Sequence, residues 1–437
     1  MNLKREKGGS HPGSVDGEWI ACHECDLLHM RTPVPEGGKA LCTRCGAFLY
    51  QNIPNSIDRS LALYLAAFML LIMANCFPFL SLEISGRFVE NYFLSGAMML
   101  YRQGMGEVGL LVLVTSVVFP FLTITGMLYV LLPIKFGYRP WHMAPVYRRV
   151  KVVKPWSLVS VFMLGVLISF VKLLDLATIL PGISMYSFIG LMVVMAAAQA
   201  NLDPSPIWQA MPVEHRKDTP EPGKTGIKKP ITTAFEYNLI GCHTCALLVP
   251  NANGDPHGHG HCPRCNTPVH SRKANSCERT WALLFSAGLL FIPANLYPVM
   301  TVIKFGKGSP NTILGGVIHL IEGGMWILAL IIFFASIVIP VLKIFILSFL
   351  LVSIQKKTPW RSRDRSLLFR ITEVVGAWSM VDIYVVAVMA GLVNLGALST
   401  IRPGMGVIFF GAVVVITMFA AHSFDPRLIW DNAERLT

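Results

Sequence analysis

The chain has 437 residues, of which 53% are hydrophobic and only 14% are charged, and its mean hydropathy is +0.55. This composition excludes an ordinary soluble globular protein and indicates a membrane protein. The formal net charge of +12 does not by itself indicate nucleic-acid binding, because no compact basic domain stands apart from the apolar segments. We therefore expect no nucleic-acid partner.

The first predicted domain, residues 1–59, is a small cysteine-rich head. It carries two Cys-x2-Cys pairs, Cys22 with Cys25 and Cys42 with Cys45. Four thiolates at this spacing can close a tetrahedral Zn²⁺ site, as in zinc ribbons. Iron in the same four-sulfur geometry and redox-switching thiols are the alternatives. A closed site leaves no coordination position for a substrate, so we expect a structural role for the metal.

A transmembrane bundle of four helices is predicted next, over residues 60–202. Its apolar runs cover residues 61–80, 108–133, 157–179 and 184–202. Each run is close to the roughly 20 helical residues that a bilayer crossing requires. The polar, proline-rich stretch that follows, residues 203–235, is predicted to be a linker.

The same order of segments then repeats. Every cysteine of the head returns 220 residues later, as Cys242, Cys245, Cys262 and Cys265, in a second predicted zinc ribbon over residues 236–279. A second bundle is predicted over residues 280–424, with apolar runs at 281–302, 326–354, 378–398 and 407–422, and residues 425–437 form a tail. The predicted fold is an all-α polytopic membrane protein of two tandem repeats, each a zinc ribbon followed by a four-helix transmembrane bundle.

Basic residues are concentrated in alternate connections, and this predicts the orientation. The head and the two connections that precede the third and seventh runs are rich in Lys and Arg, whereas residues 81–107 carry two Arg against three Glu. By the positive-inside rule the basic segments face the cytoplasm, and eight spans return both termini to that side. The thiols then lie in a reducing compartment, which favours metal binding over disulfides.

Charged side chains within spans are costly, and they mark candidate functional sites. Lys343 lies in the sixth run and Asp382 in the seventh. Ser336 lies two turns before Lys343, and Ser379 one turn before Asp382, so each pair shares a helix face. We expect these two faces to meet, with Lys343 and Asp382 as a candidate ion pair, and Lys172 in the third run is a further candidate. The alternative is that these charges only snorkel to an interface or form a structural pair.

The first half differs from the second at these positions. It has Thr123 where the second half has Lys343, and Ser160 where the second half has Asp382. We therefore expect the two bundles to have different tasks, with the main function in the second. No nucleotide-binding motif is present in the sequence, and we expect a protein that is not an enzyme.

Four motifs of the second half, together with the paired cysteine heads, carry a resemblance to a known family. The motifs are Ala294-Asn295-x-x-Pro298, Ala335-Ser336-Ile337-x-x-Pro340-x-x-Lys343, Trp378-Ser379-Met380-x-Asp382 and Phe424-Asp425-Pro426-Arg427-x-x-Trp430. They resemble the paraquat-inducible protein A family over nearly the whole chain. The resemblance implies an inner-membrane component of a Gram-negative envelope that works beside a periplasmic MCE-domain protein. It would pass phospholipid or a related lipid between the inner membrane and the MCE tunnel.

Two other functions remain open at this point. The membrane body could anchor the MCE protein as a non-transporting scaffold or sensor, while the zinc ribbons bind a cytosolic partner. A redox membrane enzyme is less consistent with the sequence, because no pair of haem-ligating histidines stands inside the spans.

Overall fold

The computed structural model describes most of the chain. The described residues are 19–84, 87–92, 94–102, 104–138, 142–174, 178–211, 233–251, 260–304, 307–358, 360–392 and 399–434. Among them, eight helices are long and apolar enough to cross a membrane, which confirms the predicted number of spans. They cover Ser56–Cys76, Gly106–Lys135, Met143–Val171, Ile183–Ala200, Ser276–Leu296, Trp326–Gln355, Ser362–Ala390 and Gly406–Ser423. The chain is a mostly helical, multi-pass membrane protein.

The first half of the membrane body is built around its first helix. The helices here are α1 (Ser56–Cys76), α2 (Ser95–Arg102), α3 (Gly106–Leu113), α4 (Phe119–Lys135), α5 (Met143–Val153), α6 (Val159–Leu174), α7 (Ile183–Ala200) and α8 (Pro204–Gln209). A π-helical turn, Val114–Val118, joins α3 to α4 in one 30-residue helix. Helix α1 packs against both α4 and α7.

The second half has elements of the same kinds in the same order. Its helices are α9 (Ser276–Leu296), α10 (Ile313–Glu322), α11 (Trp326–Phe333), α12 (Ile339–Gln355), α13 (Ser362–Val375), α14 (Val381–Leu392), α15 (Gly406–Ser423) and α16 (Leu428–Glu434). A π-helical turn, Phe334–Val338, joins α11 to α12, and a 3-10 turn, Gly376–Met380, precedes α14. Helix α9 packs against α12 and α15, as α1 packs against α4 and α7.

Short antiparallel hairpins form the cysteine heads. The first head has β1 (Trp19–Ala21), β2 (Leu28–Met30), β3 (Lys39–Leu41) and β4 (Phe48–Gln51), and the second has β8 (Leu239–Gly241), β9 (Leu248–Pro250), β10 (Gly260–His261) and β11 (Pro268–Val269). The pairs are β1 with β2, β3 with β4, β8 with β9 and β10 with β11. These strands have only two to four residues, so hydrophobic burial alone gives each head little stability.

Two three-stranded antiparallel sheets lie where the prediction placed helix ends. One has the order β6–β5–β7, from β5 (Leu80–Ile84), β6 (Arg87–Asn91) and β7 (Thr178–Pro181), and the other has the order β13–β12–β14, from β12 (Met300–Lys304), β13 (Lys307–Asn311) and β14 (Ser399–Pro403). The expectation of an all-α body was wrong here. Helices α1 and α9 end at Cys76 and Leu296, because Pro78 and Pro298 cannot continue the hydrogen-bond ladder.

The polar segments that connect the spans, and the predicted tail, contain helices that the sequence analysis did not predict. The basic stretch after α4 contains the amphipathic helix α5, and the one after α12 contains α13. Pro204–Gln209, at the start of the predicted linker, forms α8, and Leu428–Glu434 in the predicted tail forms α16. Most of the predicted linker, residues 212–232, lies outside the described residues.

The two halves join through α6 and α14, which pack against each other. Gly165 allows this approach, since a Cβ at its position would lie only 2.8 Å from Tyr384 Cβ. Tyr384 Oη donates a hydrogen bond of 2.7 Å to Thr115 Oγ1, and Ser169 Oγ lies within 3.3 Å of the carbonyl oxygen of Val385. Polar groups therefore connect the two halves at a buried seam, where a lost partner is costly.

Candidate functional site

Each head gathers its four cysteines into one buried cluster. Cys22 Sγ lies 3.5 Å from Cys45 Sγ, and Cys25 Sγ lies 3.4 Å from Cys42 Sγ. The second head repeats these distances, with 3.5 Å between Cys242 and Cys265 and 3.4 Å between Cys245 and Cys262. Within each cluster all four sulfur atoms lie within 4.8 Å of one another. The predicted ligand sets are thus brought together as two tetra-cysteine clusters.

Local backbone geometry holds each cysteine pair in a tight turn. In all four turns the amide of the residue after the second cysteine donates to the carbonyl of the first cysteine, at 2.7–2.9 Å. That residue has a positive φ in every case: Asp26 61°, Gly46 72°, Ala246 58° and Asn266 53°. Gly46 and Asn266, after the last cysteine of each head, suit this left-handed conformation.

The clusters have the dimensions of a tetrahedral metal site. Zn–S bonds of about 2.3 Å place tetrahedral sulfur atoms about 3.8 Å apart, close to the spacing found here. An outer contact also suits a thiolate, since His29 Nε2 lies 3.3 Å from Cys42 Sγ. Among the described residues these are the two groups arranged to hold a metal ion, with no histidine in either.

Each cysteine cluster packs against the membrane half to which its head is not directly joined, while other residues of the head contact its own half. The first cluster shares a hydrophobic core with Phe369, Phe424 and Trp430 of the second half. The second cluster shares one with Tyr147 and Trp208 of the first half. The heads therefore cross over between the halves.

Equivalent arginines make this crossed docking. Arg370 on α13 donates to the carbonyl oxygens of Cys45 at 2.6 Å and Gly46 at 3.1 Å. Arg148 on α5 donates to the carbonyl oxygen of Asn266 at 2.7 Å. Gly46 and Asn266 are the same position of the two heads, 220 residues apart. An arginine of the second half thus binds the first head, and the equivalent arginine of the first half binds the second head.

Acidic residues support these contacts. Glu24 lies 2.7 Å from Arg370 Nε, and Arg272 bridges Asp26 at 3.2 Å and Asp431 at 2.6 Å. Burial raises the pKa of Glu24 and of Asp26, and the neighbouring guanidinium groups oppose this effect. These interactions tie the first head to α13 and to the second head at the same time.

Asp425 is a buried carboxylate that accepts hydrogen bonds from both side-chain and backbone donors. Burial acts to raise its pKa, but the charge of Arg427, which binds both carboxylate oxygens, and the backbone amides of Lys273 and Arg427 outweigh it. The net result lowers the pKa of Asp425 to about 2. Its equivalent Asp203 caps α8 by accepting from the amide of Ser205 at 2.9 Å.

Three of the predicted transport residues lie together inside the second bundle. Helix α12, with Lys343, and the π-helical turn with Ser336 both pack against the 3-10 turn that carries Ser379. Lys343 is only 3% exposed, and its Nζ would lie 2.8 Å from a Cβ placed on Gly376. Ser379 Oγ donates to the carbonyl of the same Gly376 at 2.8 Å. We call Lys343, Gly376, Ser379 and Ser336 the polar cluster.

The predicted Lys343–Asp382 ion pair is not formed. Lys343 has no ion-pair partner among the residues that the structure describes, whereas Asp382, 8% exposed, lies in the first turn of α14. Ser336 Oγ is buried and, within the described part of the chain, has no hydrogen-bond partner. Lys172 lies near the end of α6, but its side chain and all of Asp175 lie outside the described residues.

Two features of the site were not predicted from the sequence. The π-helical turn in each half, frequent at functional sites, has no recognisable sequence signal. Arg148 and Arg370 were interpreted only as inside-facing positive charges. Their recurrence at the same repeat position was a signal that they make a specific contact.

Comparison with known proteins adds the family. The sequence model described as "Paraquat-inducible protein A" matches residues 57–212 and 277–434. The chain is 34% identical to "Intermembrane transport protein PqiA" of Escherichia coli K12 over 94% of this chain and 95% of that protein. It is 27% identical to "Lipophilic envelope-spanning tunnel protein A" of the same organism, over 96% and 92% of the two chains.

A third relative is more distant. "Probable intermembrane transport protein" of Haemophilus influenzae is 26% identical over 95% of this chain and 96% of that protein. No solved structure matches the chain. The matched regions cover both membrane halves, and the chain belongs to the paraquat-inducible protein A family.

Proposed function

We propose that this chain is the non-enzymatic inner-membrane subunit of a bacterial intermembrane lipid transport system. It takes phospholipid or a related lipid from the inner membrane and passes it to a periplasmic MCE-domain protein, and this maintains the envelope. The relatives named as intermembrane transport proteins support transport between membranes. The family resemblance supplies the MCE partner and the lipid.

The observation that carries a transport role for the second bundle is the polar cluster. An ammonium group that is buried in a membrane span without an ion-pair partner is costly, and such groups mark substrate or proton pathways. Lys343 fills the space left by Gly376, and Ser336 Oγ, on the π-helical turn that packs against the same 3-10 turn, has no hydrogen-bond partner in the described part of the chain. We infer that Lys343, Ser336 and Ser379 bind the phosphate of a lipid headgroup, and that Asp382 and Lys172 lie along the same path.

The cysteine clusters have a supporting role in this proposal. We infer that each binds one Zn²⁺, which holds a head that its short strands cannot stabilise alone. The basic segments support a cytoplasmic location for both heads and both termini by the positive-inside rule. Elemental analysis of the purified chain should return about two zinc per chain, as two four-sulfur sites require. Iron with a visible absorption band would contradict this assignment.

Photo-crosslinking tests the lipid pathway from a position that bulk lipid does not reach. Leu347, one turn after Lys343, is fully buried, and its first-half equivalent Met127 is 1% exposed. A photoreactive residue at 347 should trap phospholipid in living cells, and one at 127 should trap at least tenfold less. Lys343→Gln should abolish the adduct at 347.

The scaffold alternative makes the opposite prediction. If the membrane body only anchors the MCE protein, position 347 gives no lipid adduct. Lys343→Gln then assembles normally and leaves the envelope barrier intact. A Lys343→Gln chain that binds the MCE protein but fails to restore the barrier would support transport.

A further inference from the structure

A cavity of about 730 Å³ lies between the two cysteine heads and the adjoining helix ends. Both heads contribute to its wall, through His23 and Glu24 in the first and His243 and Thr244 in the second. Lys151 of α5 lines it from the first half and Glu373 of α13 from the second. We call this cavity the vestibule. It is separate from the polar cluster. Cys22, Cys242 and Cys245 of its wall belong to the cysteine clusters, but no role was assigned above to the space between the heads.

The carboxylates of the vestibule are mostly neutralised by arginines of this chain. Glu24 pairs with Arg370 and Asp425 pairs with Arg427. Asp26 pairs with Arg272 at 3.2 Å. Glu373 lies on the α13 side, close enough to Lys273 to interact with it electrostatically. The second-half side of the vestibule is therefore nearly balanced in charge.

Lys151 lies on the opposite side, where the negative charges that act on it are those of Cys242, Cys245 and Cys265 and not those of a carboxylate. Its Nζ donates one hydrogen bond, of 2.8 Å, to the carbonyl oxygen of Thr244, and it has no ion-pair partner in the described ranges. An ammonium carries three N–H donors, so two remain for a ligand. The side chain is accessible from the vestibule, and its charge acts on both His23 and His243. These three groups therefore face a common space.

We propose that the vestibule binds a phosphate-bearing anion, held by Lys151 with His23 and His243. Protein walls of low dielectric focus the field of the ammonium into the cavity, and this attracts an anion. Either imidazole tautomer has one N–H to donate. A phosphate group offers several acceptor oxygens, so it can accept hydrogen bonds from both heads at once. The anion is either a free phosphate compound or a lipid headgroup, and this inference does not rest on the proposed lipid transport.

The test uses the full-length chain in nanodiscs and measures its melting temperature. In the first arm the lipid is phosphatidylcholine, and inorganic phosphate replaces chloride at equal ionic strength. In the second arm the buffer is phosphate-free, and phosphatidylglycerol replaces part of the phosphatidylcholine. The variants are Lys151→Gln and Lys151→Arg, with Lys356→Gln as the matched control, because Lys356 is an exposed lysine that does not line the vestibule.

We expect the anion to raise the melting temperature of the native chain in at least one arm. A rise in the first arm identifies a soluble phosphate, and a rise confined to the second identifies a headgroup. Lys151→Gln should lose this increment, with affinity reduced at least tenfold, while Lys151→Arg and Lys356→Gln should keep it. No rise in either arm, or an unchanged rise in Lys151→Gln, would overturn the proposal. Because only the anion-dependent increment is compared, a general loss of stability in a variant does not affect the result.

Discussion

Replacing Arg370 by alanine tests the crossed docking of the cysteine heads. The change removes two hydrogen bonds to the backbone of the first head and the ion pair with Glu24. The Glu24 side chain is only 7% exposed, so its carboxylate is left buried without its partner. Breaking a buried pair from one side costs about 3–5 kcal/mol. Arg370 itself is 27% exposed, which places the expected loss near the lower limit, at about 3 kcal/mol.

Arg148→Ala is the matched control in the first half. Arg148 makes the equivalent contact with a single hydrogen bond to Asn266, and no ion pair of Arg148 is found in the described ranges. Its loss should cost about 1 kcal/mol, the value of one ordinary hydrogen bond. Adding Glu24→Gln to Arg370→Ala removes the stranded charge, and we expect it to restore part of the lost stability.

Two measurements check this prediction. Thermal unfolding in detergent reports the stability, and the rate of metal release to a chelator reports how firmly each head is held. We expect Arg370→Ala to melt lowest and to release the first metal fastest. Equal effects of Arg370→Ala and Arg148→Ala, or a double variant no more stable than Arg370→Ala, would refute the assignment of the cost to Glu24.

Three further substitutions have defined outcomes. Asp425→Asn should lower the free energy of unfolding by about 2 kcal/mol at pH 7, because a pKa lowered from 3.8 to about 2 stabilises the fold above pH 4. The difference in melting temperature between the variant and the native chain should become smaller as the pH falls from 4 to 2. Lys343→Met should raise the melting temperature, since it removes an unpaired buried charge, while lipid crosslinking at position 347 is lost. Tyr384→Phe should cost about 1 kcal/mol, because Thr115 Oγ1 loses the hydrogen bond that it accepts but still donates to the carbonyl oxygen of Leu111. Thr115→Val should cost at least as much, since it leaves the buried Tyr384 hydroxyl without its acceptor, and the double variant should lose less stability than the sum of the two; additive losses would contradict the contact.

The sequence was sufficient for the features that depend on local pattern. Hydrophobic run length predicts the eight spans, and the Cys-x2-Cys spacing predicts both clusters, because each depends on residues near one another in the chain. The strands β5 and β12 were missed, since their apolar residues continue the runs of α1 and α9. Only Pro78 and Pro298 mark the break, and a proline alone does not indicate that a strand follows.

Contacts between residues far apart in the chain could not be predicted in this way. The two membrane halves have the same order of elements, and no sequence periodicity distinguishes the docking of a head on its own half from docking on the other. The prediction of a Lys343–Asp382 ion pair was wrong for a related reason. Both residues lie on faces that helical geometry allows to meet, but Gly376 provides space for the lysine at the start of the 3-10 turn instead.

The crossed heads explain why the two halves differ where they do. Each head continues directly into the first helix of its own half and is bound by an arginine of the other half, Arg370 or Arg148. If one half moved relative to the other, either both arginine contacts would break or both heads would have to move as well. Both contacts therefore hold the two halves together. The membrane interior has no such double constraint, and there Thr123 and Lys343 occupy matching positions. The two halves are thus connected by equivalent contacts, whereas only one of these two matching interior positions carries a buried charge.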